Sequence, residues 1–176
     1  VGIVTAINEA HIAYFGSLDA IAREKGRLLE ALPEDGLAVL NADDARVAAL
    51  ADRSRAPVVF IGGSEHAAWQ ACHIEHRADG VAFVLRLRRE SGEVTAEYPV
   101  HLRLLGAQAI YPALAALAVG HAFFGIRVEE GVAALEALPP LPGRLNPLPG
   151  LAGSTLLDDT VSATPSTTLA ALEVLA

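Results

Sequence analysis

One lysine, Lys25, stands against twelve arginines in this chain of 176 residues. The spacing predicts a helix over 17–32, in which Leu18, Ile21, Ala22, Leu28, Leu29 and Leu32 recur at the i, i+3, i+4, i+7 interval of a buried stripe. Lys25 completes that stripe, while Asp19, Arg23, Glu24, Arg27 and Glu30 fall mostly on the other faces. Arginine keeps its proton in any protein environment, whereas a desolvated lysine can become a neutral, nucleophilic amine. Such an amine can take up carbon dioxide as a carbamate, which turns a cation into a carboxylate-like metal ligand. The alternative is a lysine whose stem packs on the core while its ammonium reaches water.

Four other groups could do chemistry. Glu9 and His11 follow an apolar strand pattern, and in open α/β sheets ligands bind at the carboxyl ends of strands. A carboxylate and an imidazole there could hold Mg²⁺ or Mn²⁺ beside phosphate, or simply make a solvated turn. Asn41, Asp43 and Asp44 also end a strand pattern, where an Asx turn capping the next helix is the competing reading. Arg144 lies in a proline-rich stretch from which a guanidinium could swing onto a phosphate. Asp158 and Asp159 end a short leucine strand and could hold a ribose hydroxyl or cap a turn. The remaining histidines have no metal-ligand spacing: His73 and His76 sit three apart on a predicted strand and read as surface. There is no nucleophile elbow, no paired-cysteine zinc motif and no G-x-x-x-x-G-K-[ST] phosphate loop.

The elements that must position these residues alternate in type. Strands at 1–7, 36–41 and 57–61 are separated by helices at 17–32 and 45–51, the order of a parallel sheet covered on both faces. Strands at 71–78, 81–89 and 93–103 then suggest a small antiparallel meander, followed by helices near 107–124 and 128–138. Residues 139–150 hold five of the ten prolines and read as a hinge. A strand at 155–157 and a helix from about Pro165 then look like the opening β–α of a second domain.

A net charge of −8 argues against nucleic acid as the main partner. The single cysteine, Cys72, makes no internal disulfide and fits a reducing cytoplasm. No 18-residue uninterrupted apolar run suggests a membrane span, and the apolar stretch 113–124 is too short for one. The chain lacks methionine, opens inside a strand pattern and ends inside a helical one, so a segment of a longer protein is expected.

Taken in order, N-E-A-H-x-x-x-F-G-S-L-x-x-I-A-x-x-K-G (8–26), L-P-x-x-G-x-A-V-L-N-A-D-D (32–44), P-G-R-L (142–145) and L-L-D-D-T-V-S-A-T-P-S-T-T-L (156–169) resemble the Mur ligases, and among them the MurF type. The resemblance implies an α/β fold: a parallel P-loop-type sheet with flanking helices and a small antiparallel meander, then the first β–α unit of a Rossmann-like domain. It implies a partial central ATPase domain over 1–138, a hinge over 139–152 and the start of a C-terminal domain over 153–176. The phosphate loop would lie upstream, and the segment alone would be inactive. It implies ATP and Mg²⁺ as cofactors, with Mn²⁺ a substitute. The chemistry is phosphorylation of a substrate carboxylate, amine attack on the acyl phosphate and collapse to an amide.

By the same resemblance Lys25 is the carbamylated lysine and His11 a ligand of the second magnesium, with Glu9 beside it. Arg144 reaches the ATP phosphates, Asp159 or Asp158 lies near the ribose, and Asn41 joins the nucleotide-binding set. Partners would be a UDP-linked muramoyl peptide and D-alanyl-D-alanine or a similar amine, for a cytoplasmic enzyme that is monomeric when full length. Two departures stand out. The usual G-x-H-N-x-x-N, whose polar side chains approach adenine, is here Gly106-Ala107-Gln108-Ala109-Ile110-Tyr111-Pro112, and Val161, Ser162 and Thr164 replace the tyrosine and asparagines of D-D-S-Y-N-A-N-P. These changes also suit a ligase with another acceptor, of the folylpolyglutamate or cyanophycin-synthetase kind, or a non-catalytic Mur-like binding subunit.

Overall fold

The structure is a computed structural model that describes residues 1–89, 91–161 and 163–175. The chain runs through β1 (Gly2–Val4), a short α1 (Ile12–Phe15), α2 (Leu18–Glu30), β2 (Ala38–Asn41), α3 (Ala45–Ala48) and β3 (Val58–Gly62). It continues through β4 (Trp69–Arg77), β5 (Gly80–Arg88), β6 (Val94–Leu102), α4 (Ile110–Phe124), α5 (Val128–Glu136), β7 (Asn146–Pro149), β8 (Thr155–Asp158) and α6 (Pro165–Leu175).

The α/β class expected from the sequence is the one observed. Strands β1 to β3 pair in parallel, with Val4 opposite Leu40 and Leu40 opposite Phe60. Strand alternation sorts their side chains between two cores. Ala38 and Leu40 pack with Ile21 and Leu29 of α2 and Val47 of α3. Val39 and Ile61 face the other way, toward Leu114, Leu117 and Ala118 of α4. Leu29 and Leu40 are wholly buried, and each contributes roughly 1.5–3 kcal/mol relative to exposure.

The meander is not a separate layer. β4 starts parallel beside the end of β3, with Ile61 opposite Trp69, and β4, β5 and β6 continue antiparallel, so one six-stranded mixed sheet runs in order β1 to β6. The first strand is shorter than 1–7 because side chains replace the ladder beyond Val4. The Asn41 amide donates to the Thr5 carbonyl at 2.8 Å, and the Ile7 N–H donates to Asp44 at 2.8 Å. Part of the predicted hinge is also ordered strand: β7 pairs antiparallel with β8, Leu148 opposite Leu156. Its two prolines are tolerated because the two-stranded sheet leaves an unpaired edge.

Helix α4 with the 3₁₀ turn before it makes one helical stretch, Ala107–Phe124, whose length and apolarity match a bilayer crossing. The apolar stretch 113–124 is the later part of it. The helical stretch is a core element: Ile110, Ala113, Leu114, Ala115, Leu117 and Ala118 are buried against the sheet and α5.

Candidate functional site at the carboxyl edge of the sheet

The loops that leave β1, β2 and β3 are tied together by carboxylates and one amide. Asn41 is buried and bridges two loops, since its Oδ1 also accepts the Asp43 N–H at 2.9 Å. Asp44 caps α3 through the Arg46 and Val47 N–H groups while holding Ile7. Asp43 reaches furthest. It accepts N–H groups of Gly63 at 2.6 Å and Ser64 at 2.9 Å, and the Tyr111 hydroxyl donates to it at 3.2 Å. Burial and the Asp43 charge push the Tyr111 hydroxyl up to about 12. This clamp fixes the start of α4 against two strand ends. Sequence reasoning grouped Asp43 with Asn41 and Asp44, as a chemical group or an Asx turn, and missed this clamp because its partners lie 20, 21 and 68 positions away.

Glu9 is engaged as well. Its Oε1 accepts the Ser166 N–H at 2.8 Å and so caps the start of α6. Its own backbone N–H and that of Ser166 hold the carboxyl below its ordinary value. His11 is exposed and takes the left-handed backbone conformation, φ 65°, at the start of α1.

Lys25 departs from expectation. Helix α2 buries Ile21, Gly26 and Leu29, whereas Lys25 and Leu28 are exposed. Gly26 is buried because the Arg53 guanidinium lies across it, donating to the Arg23 carbonyl and to Glu30, in space that a Cβ would fill. Periodicity reports which side of a helix turns inward; it does not report how far the core extends along that side. Lys25 therefore lies on the exposed side of α2 and not in its buried stripe.

Among the described residues no group of three His, Cys, Asp or Glu side chains converges. An unmodified ammonium is a donor only, so Lys25 could ligate a metal only after modification. His73 and His76 are exposed, as the sequence reading expected.

The other candidates converge. A cavity of about 650 Å³ opens between the end of β6, the start of α4, the end of α5, the 141–145 turn and the start of α6. Gln108, Ala109 and Pro112 line it, and so do Arg144, Asp159, Ser166 and Thr167. The two neighbouring aspartates have different surroundings. Asp158 accepts from the Thr160 hydroxyl at 2.8 Å and from the Gly143 N–H at 3.0 Å, contacts that hold its carboxyl low, and it does not line the cavity. Asp159 does, while accepting the Leu145 N–H at 3.3 Å. Ser166 joins the two regions, because it lines the cavity and is held by Glu9. Asn41, His11 and Lys25 lie outside the lining. Of the altered C-terminal motif, Val161 lines the cavity, and Ser162 lies outside the described residues.

This architecture is an open α/β sheet flanked by helices, with a cavity joined through Glu9 and Tyr111 to the carboxyl edge of its parallel strands. The model of the Mur ligase middle domain matches residues 1–120. The UDP-N-acetylmuramoyl-tripeptide–D-alanyl-D-alanine ligase of Mycobacterium leprae is 32% identical over the whole chain, which covers 35% of that protein. Among solved structures, MurF from Acinetobacter baumannii superposes with a TM-score of 0.85 at 26% identity, covering 99% of this chain and 37% of that one. MurF from Thermotoga maritima, solved in complex with ADP, shares the fold at a TM-score of 0.80 and 20% identity, covering 99% of this chain and 38% of its own. The chain belongs to the Mur ligase family, and its relatives here are of the MurF type. It spans about a third of the length of the curated relatives it matches.

Proposed function

We propose that this chain is part of an ATP-dependent carboxylate–amine ligase of peptidoglycan precursor synthesis, acting in the cytoplasm. The parent enzyme joins D-alanyl-D-alanine, or a similar amine, to a UDP-linked muramoyl tripeptide through an acyl phosphate. Residues 1–138 are the later part of the central ATPase domain, 139–152 the connection and 153–176 the start of a Rossmann-like C-terminal domain. The observation that carries this reading is the convergence of the 108–112 segment, Arg144 and Asp159 on one cavity.

ATP bound there supplies the phosphoryl group that activates the carboxylate. This chain's residues bind and orient it. The apolar walls take the base, Asp159 takes a ribose hydroxyl, with Asp158 bracing the turn beside it, and the Arg144 guanidinium neutralises phosphate charge. Asn41 is kept in the nucleotide-binding set: beyond its two internal bonds it retains one N–H and one lone pair. Lys25, as a carbamate, with His11 and Glu9, is proposed for magnesium. Its exposure leaves the amine open to carbon dioxide.

The test is phosphate release from ATP by the full-length protein, given UDP-muramoyl tripeptide with and without D-alanyl-D-alanine. Release that needs both is expected. Release that responds to neither would overturn the substrate assignment.

A further inference from the structure

Among the described residues the cavity's walls are leucines, alanines, Pro112 and Val161, and five lining side chains are polar. Three of the five are already engaged. The Thr167 hydroxyl accepts the Thr164 N–H and donates to the Thr164 carbonyl, and the Ser166 hydroxyl lies 3.1 Å from that of Thr164. Asp159 accepts from Leu145. Arg144 is a cation, a donor only, suited to phosphate rather than to a mixed donor–acceptor edge. That leaves Gln108. Its amide lies over Gly106, whose φ of 84° and missing Cβ make the room, and it has no hydrogen-bond partner among the described residues.

Resting on the nucleotide reading above, we propose that this cavity holds a purine base with little discrimination between adenine and guanine, and that Gln108 is its side-chain reader among the described residues. An apolar slot recognises the shared flat shape of both bases. Such pockets reject near-isosteres poorly, whereas sites built from dedicated hydrogen-bonding groups discriminate by factors of about 10⁴–10⁵. The two purines differ at the six-position, an amine donor in adenine and a carbonyl acceptor in guanine, and guanine adds an amine at the two-position. A glutamine amide carries both a donor and an acceptor and turns over to meet either. Ala109 has no polar side-chain atom, and Pro112 lacks even the backbone N–H.

The experiment measures displacement of a ribose-labelled fluorescent ADP from the full-length protein by ADP and by GDP. The expected Kd ratio is less than about tenfold. Gln108→Glu presents acceptors only, so it favours the adenine amine and raises the ADP preference at least about tenfold over the unaltered protein. A larger than tenfold ADP preference in the unaltered protein overturns the inference, and so does a Gln108→Glu ratio that does not move. Both of those outcomes leave the nucleotide reading standing. Absence of any binding of the labelled ADP removes that reading and this inference together.

Discussion

At the scale of single residues, two side chains carry predictions of different kinds. In the full-length protein, Lys25→Ala is expected to abolish turnover, and added short carboxylic acids to restore part of it by standing in for a carbamate. Full activity without additive would end that role for Lys25. Tyr111 gives a prediction about stability. Its hydroxyl titrates near 12 in the folded chain against 10.0 as a free group. A raised folded value means that its contribution is complete below pH 10 and is lost as pH climbs toward 12. Thermal melts should therefore show a falling Tm across that window, and Tyr111→Phe should flatten part of the fall. At neutral pH the same variant should cost about 1.5–3 kcal/mol for the lost bond to the Asp43 carboxylate.

At the scale of elements, the contact to watch is the carboxylate cap on α6. Glu9 is held below its ordinary 4.5, so the stability it lends is present above that value and lost as pH falls through the lower folded value. Protection of the first amides of α6, taken relative to their intrinsic exchange rates at each pH, should fall on acidification. In Glu9→Ala that protection should already be low at neutral pH and change little further with acid. Unchanged protection in the variant would mean that Thr164 and Thr167, which also bond at this helix start, suffice to hold it. This cap bears on the site because Ser166 and Thr167 form one wall of the cavity.

At the scale of the whole molecule, α4 is the element on which the others depend. It packs on β2, β3, β4 and α5, and its first turns line the cavity. Leu114, wholly buried at its centre, is expected to cost about 2–5 kcal/mol when cut to alanine. Because the meander is continuous with the parallel strands, that loss should lower one denaturation midpoint followed by circular dichroism. Two separated transitions would show that the halves of the sheet unfold independently.

Local patterns were enough to read the α/β class, Ser17 as the cap of α2 through the Ala20 N–H, and the strand and helix that close the chain. Those features depend on periodicity and capping over a few residues, which a sequence displays directly. The motifs around His11, Lys25 and Asn41 likewise carried the family, because they are short and contiguous. Tertiary structure alone decided the rest. Asp43 joins Gly63, Ser64 and Tyr111, and Glu9 meets Ser166 across 157 positions. Lys25 turned out exposed although it completes the spacing of α2, because that spacing does not show how far the neighbouring core reaches. Asp158 and Asp159 are adjacent in sequence, yet only the fold shows which of them faces the cavity. The physical reason is common to all four cases: hydrogen bonds and burial between distant segments leave no periodic trace along the chain.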